Sequence, residues 1–179
     1  MIANLDAAQL EVDLIKEYLA YNPDNGHFTW SKSNNKKIKV GSRADINSNH
    51  GYKRIQVCGK RYLAHRLAFV FMLGRFPINL VDHINLETND NRWVNLREAN
   101  YLQNQFNRGI RRSNTSGKRN VWWSPQHKKW RTGIYINGKR KHIGCFTTVE
   151  EASNAYETLA KQVQGDFYCK GEEHHDSKL

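Results

Sequence analysis

The 179-residue sequence has three cysteines, Cys58, Cys145 and Cys169. They are odd in number and far apart, so they form neither a disulfide framework nor the paired spacing of a zinc knuckle. No histidine pair has finger-like spacing either, and structural zinc is not expected. His174-His175 fall in a polar tail and are given no role. No apolar run approaches the roughly 20 residues of a spanning helix, and no basic stretch followed by an apolar one opens the chain. A soluble, cytoplasmic protein with reduced thiols and no membrane partner is expected.

The most telling absence is acidic. Residues 109–148 hold 10 Lys+Arg and no Asp or Glu, whereas residues 149–179 hold 3 against 7. Residues 51–108 carry 9 against 4, and residues 1–50 are balanced at 6 against 6. The net charge of +11 therefore resides almost wholly in one stretch of forty residues. A positive field so concentrated steers and holds a polyanion, which points to nucleic acid more than to a solvated surface or an acidic membrane. A mass of 20.9 kDa allows one medium domain or two small ones, and two compact modules are expected.

Along the first half, Asp6 to Tyr21 places Leu10, Leu14, Ile15, Tyr18 and Leu19 at helical spacing, and Asn22-Pro23-Asp24-Asn25-Gly26 stops that helix in a turn. His27 to Trp30 reads as a short strand. Tyr52 to Val57 and Lys60 to Leu63 flank Cys58-Gly59 as a hairpin, and His65 to Leu73 is an apolar run suited to a buried helix. His65 on such a run is more often a core histidine than a ligand. Leu80 to His83 reads as a strand, Leu86 to Asn91 as a polar loop, Val94 to Arg97 as the returning strand, and 100–108 as a helix capped by Asn100.

In the second half, Gly109 to Asn120 reads as a basic linker. Val121-Trp122-Trp123, Trp130 to Asn137 and Arg140 to Phe146 alternate like three strands, with Asn137-Gly138 as a hairpin turn. Thr147 or Thr148 caps a helix with Glu150 and Glu151 at its positive end and Ala152, Ala155, Tyr156, Leu159 and Val163 on one face. The fold class is α+β, ending in a three-stranded antiparallel sheet packed on one helix.

The chemistry lies in Val81-Asp82-His83-Ile84-Asn85, with Asn91-Arg92, Asn95-Leu96-Arg97 and Asn104 following. Hydrolysis of a phosphodiester needs a deprotonated water and neutralisation of charge on the phosphate and the leaving oxygen. Asp82 and the Asn104 side-chain oxygen suit a hard cation, which favours Mg²⁺ or Mn²⁺, one ion per site. His83, pointing to the opposite side of the strand, suits a general base. Asn95 is placed to hold the imidazole or its loop through a hydrogen bond. Asp82, His83 and Asn95 are thus the catalytic set, and Asp82 and Asn104 the metal set.

These residues, with Gln103-Asn104, Asn107-Arg108 and the preceding Tyr62-Leu63-Ala64-His65-Arg66-Leu67-Ala68, closely resemble the HNH endonucleases of the ββα-metal fold in the form carried by bacteriophages. The name describes His83, Asn95 and a third position that is His in many members and Asn104 here. The stretch Asn114 through Tyr168 resembles the APETALA2-type DNA-binding domain, through Trp130-Arg131, Ile134, Gly144, Phe146, Glu151-Ala152, Ala155-Tyr156 and Gly165-Asp166-Phe167. That resemblance implies a sheet lying in the major groove of double-stranded DNA. It makes Trp123, Arg131, Tyr135, Lys139, Arg140 and Lys141 candidates for DNA contact, although alternation sends some of them to the helix-packed face. Arg108, Arg111, Arg112, Lys118 and Arg119 add a basic crossing of the backbone.

Together the resemblances imply an N-terminal region and nuclease domain over 1–108, with its core about 61–108, a linker over 109–119, the DNA-binding domain over 120–168 and a polar tail over 169–179. Nuclease first and APETALA2-type domain second is the order of phage homing endonucleases. The implied activity is metal-dependent DNA cleavage, nicking one strand per active site, by a phage-encoded protein in a bacterial host. Monomer and homodimer both remain open. The competing class is a non-enzymatic DNA-binding regulator with a degenerate nuclease half, and RNA binding is compatible with the charge.

Overall fold

The computed structural model describes residues 2–48, 51–107, 110, 113–136 and 138–168 of a mixed helix-and-strand chain. Two compact units meet in sequence between Tyr101 and Leu102. No helix among the described residues is long and apolar enough to cross a membrane.

The first unit opens with helix α1 (Ile2–Tyr18). Its buried face is Val12 and Ile15, continued by Leu19, while Leu10 and Leu14 are exposed. The helix stops three residues before the expected Tyr21. Strand β1 (Leu19–Asn22) leaves it to pair with β2 (His27–Trp30), in the register Leu19↔Trp30 to Asn22↔His27. Residues 22–26 close this hairpin instead of merely ending a helix. Asn22 Oδ1 accepts from the amides of Asp24 and Asn25 at 2.9 and 3.2 Å, and the Gly26 amide donates to the Asn22 carbonyl at 2.9 Å.

Strands β3 (Ile46–Asn47), β4 (Lys53–Val57) and β5 (Lys60–Leu63) form an antiparallel sheet in that order. Cys58 and Gly59, at φ 50° and 76°, supply the left-handed pair of a two-residue hairpin, as expected. Helix α2 (Ala64–Leu73) ends where Gly74 turns left-handed and donates to the Val70 carbonyl at 3.1 Å. Strand β6 (Leu80–His83) pairs with β7 (Leu96–Ala99). The returning strand begins two residues later than expected because Trp93–Asn95 wind into a single 3-10 turn.

All these elements but β3, β5 and β6 bury side chains in one core that includes Ile15, Leu19, Phe28, Ile55, Leu67, Val70 and Leu96. Phe28 stacks on Tyr21 at 4.7 Å and meets Phe71 edge-on at 5.7 Å. The β1–β2 hairpin is therefore part of the same folded body as β7, which flanks the candidate site.

The second unit follows the start of α3 (Tyr101–Phe106). Strands β8 (Val121–Ser124), β9 (Lys129–Ile136) and β10 (Lys139–Phe146) form an antiparallel sheet with β9 central. Helix α4 (Val149–Gln164) packs on it through Tyr156 and Ala160 against Ile134, with Ile136, Ile143 and Leu159 around them. The helix is rotated slightly from the face read in the sequence: Ala152, Ser153, Tyr156, Ala160 and Gln164 are buried and Val163 is exposed. Of the expected features, Asn137 of the hairpin turn and Arg108, Arg111 and Arg112 lie outside the described residues.

Thr148 closes a capping box on α4. Its Oγ1 accepts from the Glu151 amide at 3.2 Å, and Glu151 Oε2 accepts from the Thr148 amide at 3.2 Å. Thr148→Ala should lower the stability of the second unit by about 1 kcal/mol, read as a fall of several degrees in its unfolding midpoint. Thr148→Ser should recover most of the loss, and an unchanged midpoint in the alanine variant contradicts the capping role.

Candidate active site

Strands β6 and β7 carry the site at their paired ends, where Asp82 lies opposite Arg97 and His83 opposite Leu96. Alternation sends the Asp82 and His83 side chains to opposite faces, and both are buried. A buried carboxylate needs compensation. Arg97 supplies it, with Nε and Nη2 each 2.9 Å from Asp82 Oδ2.

Between the strands, residues 84–95 fold into a loop closed on itself. The Ile84 amide donates to the Asn95 carbonyl at 2.9 Å. Asn95 spans the loop mouth with both side-chain atoms: Oδ1 accepts from the Asn85 amide at 3.0 Å, and Nδ2 donates to the Asp90 carbonyl at 2.8 Å. Asp90 in turn accepts from Asn85 Nδ2 at 2.8 Å and from both Arg92 Nε and Nη2, at 2.8 and 2.6 Å. The Arg92 bond is the main reason the Asp90 carboxyl is held down to about 2. Leu86 sits at φ 66°, a left-handed conformation that a branched side chain adopts only when its surroundings impose it.

His83 is held by a residue to which the sequence reading gave no role. Asn91, 2 % exposed, places Oδ1 3.2 Å from His83 Nε2. An amide oxygen only accepts, so this bond is made by the tautomer with its proton on Nε2, the one that leaves the basic lone pair on Nδ1. Burial lowers the His83 pKa against the opposing pull of Asn91, Asp82 and Asp90. The imidazole is consequently neutral at neutral pH, as a general base must be. Of the two tasks considered for Asn95, the structure gives it the loop, while Asn91 takes the imidazole. Asn91 is the kind of residue that spacing cannot reveal, because its partner is eight positions away across a loop.

Two further rings stand beside His83. His65 meets it edge-on at 5.1 Å and 87°, and Tyr52 lies 5.3 Å from His65 and 6.0 Å from His83. Burial, with the nearby His83 and Arg66, pushes the His65 pKa down to about 3, and its Nδ1 is buried without a hydrogen-bond partner.

Asn104, on α3, belongs to the second unit and is half-buried. Among the described residues no group of three or more His, Cys, Asp or Glu is placed to hold a metal ion. A Mg²⁺-like ion that keeps most of its waters needs only one or two protein oxygens, and within the first unit Asp82 is a hard carboxylate donor of that kind.

In the second unit, the sheet face turned from α4 is legible from register. Ile134 packs on Tyr156, so its neighbours Gly133 and Tyr135 face away. Cross-strand partners share a face, and Arg131 stands opposite Trp122, Tyr135 opposite Arg140, and Gly133 opposite His142. A Cβ on Gly133 would lie 3.5 Å from Arg140 Nε and 3.6 Å from the Trp122 ring, and the Arg140 guanidinium lies 4.1 Å from that ring's centre. The outer face thus combines Trp122, Arg131, Tyr135, Arg140 and His142, of which Trp122 and His142 were not anticipated. Trp123, Lys139 and Lys141 alternate toward the α4 side, where they are nonetheless exposed, and Trp123 meets Trp130 edge-on at 5.2 Å. Lys118 is exposed, whereas Arg119 is half-buried and donates to the Phe106 carbonyl.

Residues 62–106 match the family model for the HNH endonuclease. Those residues form an HNH endonuclease domain. Over 119 residues the chain is 30 % identical to an uncharacterized HNH endonuclease of Acanthamoeba polyphaga mimivirus, covering 65 % of this chain and 60 % of that protein. It is also 29 % identical over 87 residues to Protein 3.8 of Escherichia phage T7, covering 49 % of this chain and 71 % of that one. No solved structure matches. The HNH segment begins in β5 and contains Asp82, His83, Asn91, Asn95 and Asn104.

The buried, neutral His65 has a consequence for stability. Its folded pKa lies below its unfolded one, so the unfolded chain binds the extra proton and stability falls as pH drops from 6.5 toward about 3. Replacing it by His65→Phe should remove a contribution of about 1 kcal/mol per pH unit in that window, measured by denaturant unfolding between neutral pH and about pH 5. An acid loss equal to that of wild type would show that His65 is protonated in the folded chain.

Proposed function

We propose that the chain is a divalent-metal-dependent DNA endonuclease of the phage homing type, with the HNH domain of ββα-metal form and a second unit that grips double-stranded DNA in the manner of an APETALA2-type domain. The observation that carries this reading is the state of His83: buried, neutral and held at Nε2 by Asn91, one residue from the carboxylate of Asp82.

His83 Nδ1 takes a proton from the attacking water, and the positive charge it gains is met by the Asn91 oxygen on Nε2 and by the nearby carboxylates of Asp82 and Asp90. Asp82, steadied by Arg97, offers one oxygen ligand for Mg²⁺ or Mn²⁺, and Asn104, by its place in the motif, offers the other. When bound, that ion neutralises the phosphate and the leaving oxygen. Asn95 keeps the loop closed so that the imidazole does not swing away. Hydrolysis on this path leaves a 5′-phosphate and a 3′-hydroxyl, and one site per chain cuts one strand. The relatives in a giant virus and in a phage support a phage protein acting in its host's cytoplasm.

On the second unit, Arg131 and Arg140 provide charge and Trp122 and Tyr135 flat surface on one sheet face, a combination suited to a groove lined by phosphates. Lys139, Lys141, Trp123 and Lys118 flank it, and Arg108, Arg111 and Arg112 add charge from the sequence. Gly133 allows the close approach of the neighbouring strand, since a Cβ there would lie 2.9 Å from the Lys141 carbonyl oxygen.

His83→Ala should cut the rate of Mg²⁺-dependent duplex cleavage by about 10²–10⁴-fold while leaving affinity for the same duplex unaltered. Equal loss of both would remove His83 from the role of base. Arg131→Ala with Arg140→Ala should reduce the slope of log affinity against log salt by about 0.9 for each phosphate contact removed. An unchanged slope places the DNA-binding surface elsewhere.

A further inference from the structure

The Asn91 oxygen can fix the His83 ring only if Asn91 is itself fixed, and part of its restraint comes from outside the HNH segment. The Asn91 carbonyl accepts a hydrogen bond from the Tyr21 hydroxyl at 2.7 Å, across 70 positions of sequence. Two residues on, the Trp93 amide donates to the Pro23 carbonyl at 2.9 Å, and the Trp93 ring is seated edge-on against Phe69 at 4.8 Å. Gly26 completes the contact. A Cβ there would lie 2.4 Å from the Asn91 carbonyl carbon and 2.5 Å from the Arg92 nitrogen, both backbone atoms. At φ +70° the position also favours glycine on conformational grounds.

Tyr21, Pro23 and Gly26 therefore bear on residues 91–93 from one β-hairpin, and Tyr21 is anchored by stacking on the fully buried Phe28. Burial, with Asp90 and Asp24 nearby, pushes the Tyr21 pKa well above its ordinary value, so the hydroxyl remains a donor at any working pH.

We propose that the β1–β2 hairpin is the positioning device of the general base: Tyr21, Pro23 and Gly26 clamp the backbone of Asn91–Trp93 so that the Asn91 oxygen holds His83 as its Nε2–H tautomer. The inference rests on the reading of His83 as base. A shift of Asn91 by about an ångström breaks a bond already 3.2 Å long. The ring then loses the acceptor that favours its Nε2–H form, and a ring with its proton on Nδ1 no longer accepts one from water at that nitrogen. Tyr21, Pro23, Gly26 and Asn91 are positioning residues, since none is asked to touch the substrate.

The test uses the full chain labelled with ¹⁵N-histidine, with the His83 tautomer read by NMR alongside kcat and KM for duplex cleavage in Mg²⁺ and the thermal unfolding midpoint. Wild type should show the Nε2–H form. Tyr21→Phe, which deletes one hydroxyl and keeps the stacked ring, should mix the tautomers and lower kcat about tenfold with KM unchanged, while the chain stays folded with a midpoint lowered by several degrees for the lost hydrogen bond. Gly26→Ala should lower kcat about 10²-fold. Asn91→Asp, which keeps an acceptor, should retain the Nε2–H form, whereas Asn91→Leu should lose it. An unaltered tautomer in Tyr21→Phe overturns the proposal, as does a loss of activity that appears wholly in KM. If Gly26→Ala fails to fold, Tyr21→Phe decides alone. If wild type and His83→Ala are equally inert, the endonuclease reading fails, and the tautomer measurement still decides whether the hairpin positions the ring.

Discussion

Burying an imidazole beside a carboxylate creates the constraint to which the rest of the first unit responds. Removed from water, His83 prefers its neutral form, and a neutral imidazole has two tautomers of which only one leaves Nδ1 basic. Among the described contacts of its ring nitrogens, the Asn91 oxygen beside Nε2 favours that form. Asn95 closes the loop that carries Asn91, and Arg92 and Asn85 stiffen it through Asp90. Arg97 offsets the charge of the buried Asp82 carboxylate. The contacts of His83, Asn95 and Asp82 are made away from bulk water, where a missing partner costs more than at the surface, whereas those of Asp90 with Arg92 and Asn85 are exposed.

Electrostatics divide the labour between the two units. Acids and bases balance in residues 1–50, and Asp82 and Asp90 are paired with arginine or asparagine. The cationic excess instead accumulates in residues 109–148. There a three-stranded sheet presents arginine against aromatic rings on the face that α4 leaves open. Within the first unit the polar groups around His83 are buried and paired, and within the second the basic side chains stand on exposed sheet positions.

Much of this could be read from local sequence. Cys58-Gly59 between two alternating runs, Gly74 after an apolar decade and Thr148 three residues before Glu151 are short-range signals, and each marks the boundary it should. The Asp82-His83 pair and Asn95 also stood out, because strand alternation and loop closure act over a few residues. The helix reading failed at Leu19 to Tyr21: helical spacing continued there, but pairing with β2 and burial of Tyr21 beside Phe28 outweighed it. Consecutive Trp122 and Trp123 could not be assigned to faces until register was known, which is why Trp122 was overlooked. The bond from Tyr21 to Asn91 joins positions whose proximity exists only in the folded core.

The most direct test is a time course on negatively supercoiled plasmid with wild-type protein, in Mg²⁺ and in EDTA. Open circles should appear first in Mg²⁺, with linear molecules only later, and the plasmid should stay supercoiled in EDTA. Conversion in EDTA, or none with any divalent ion, would contradict metal-dependent cleavage by this chain.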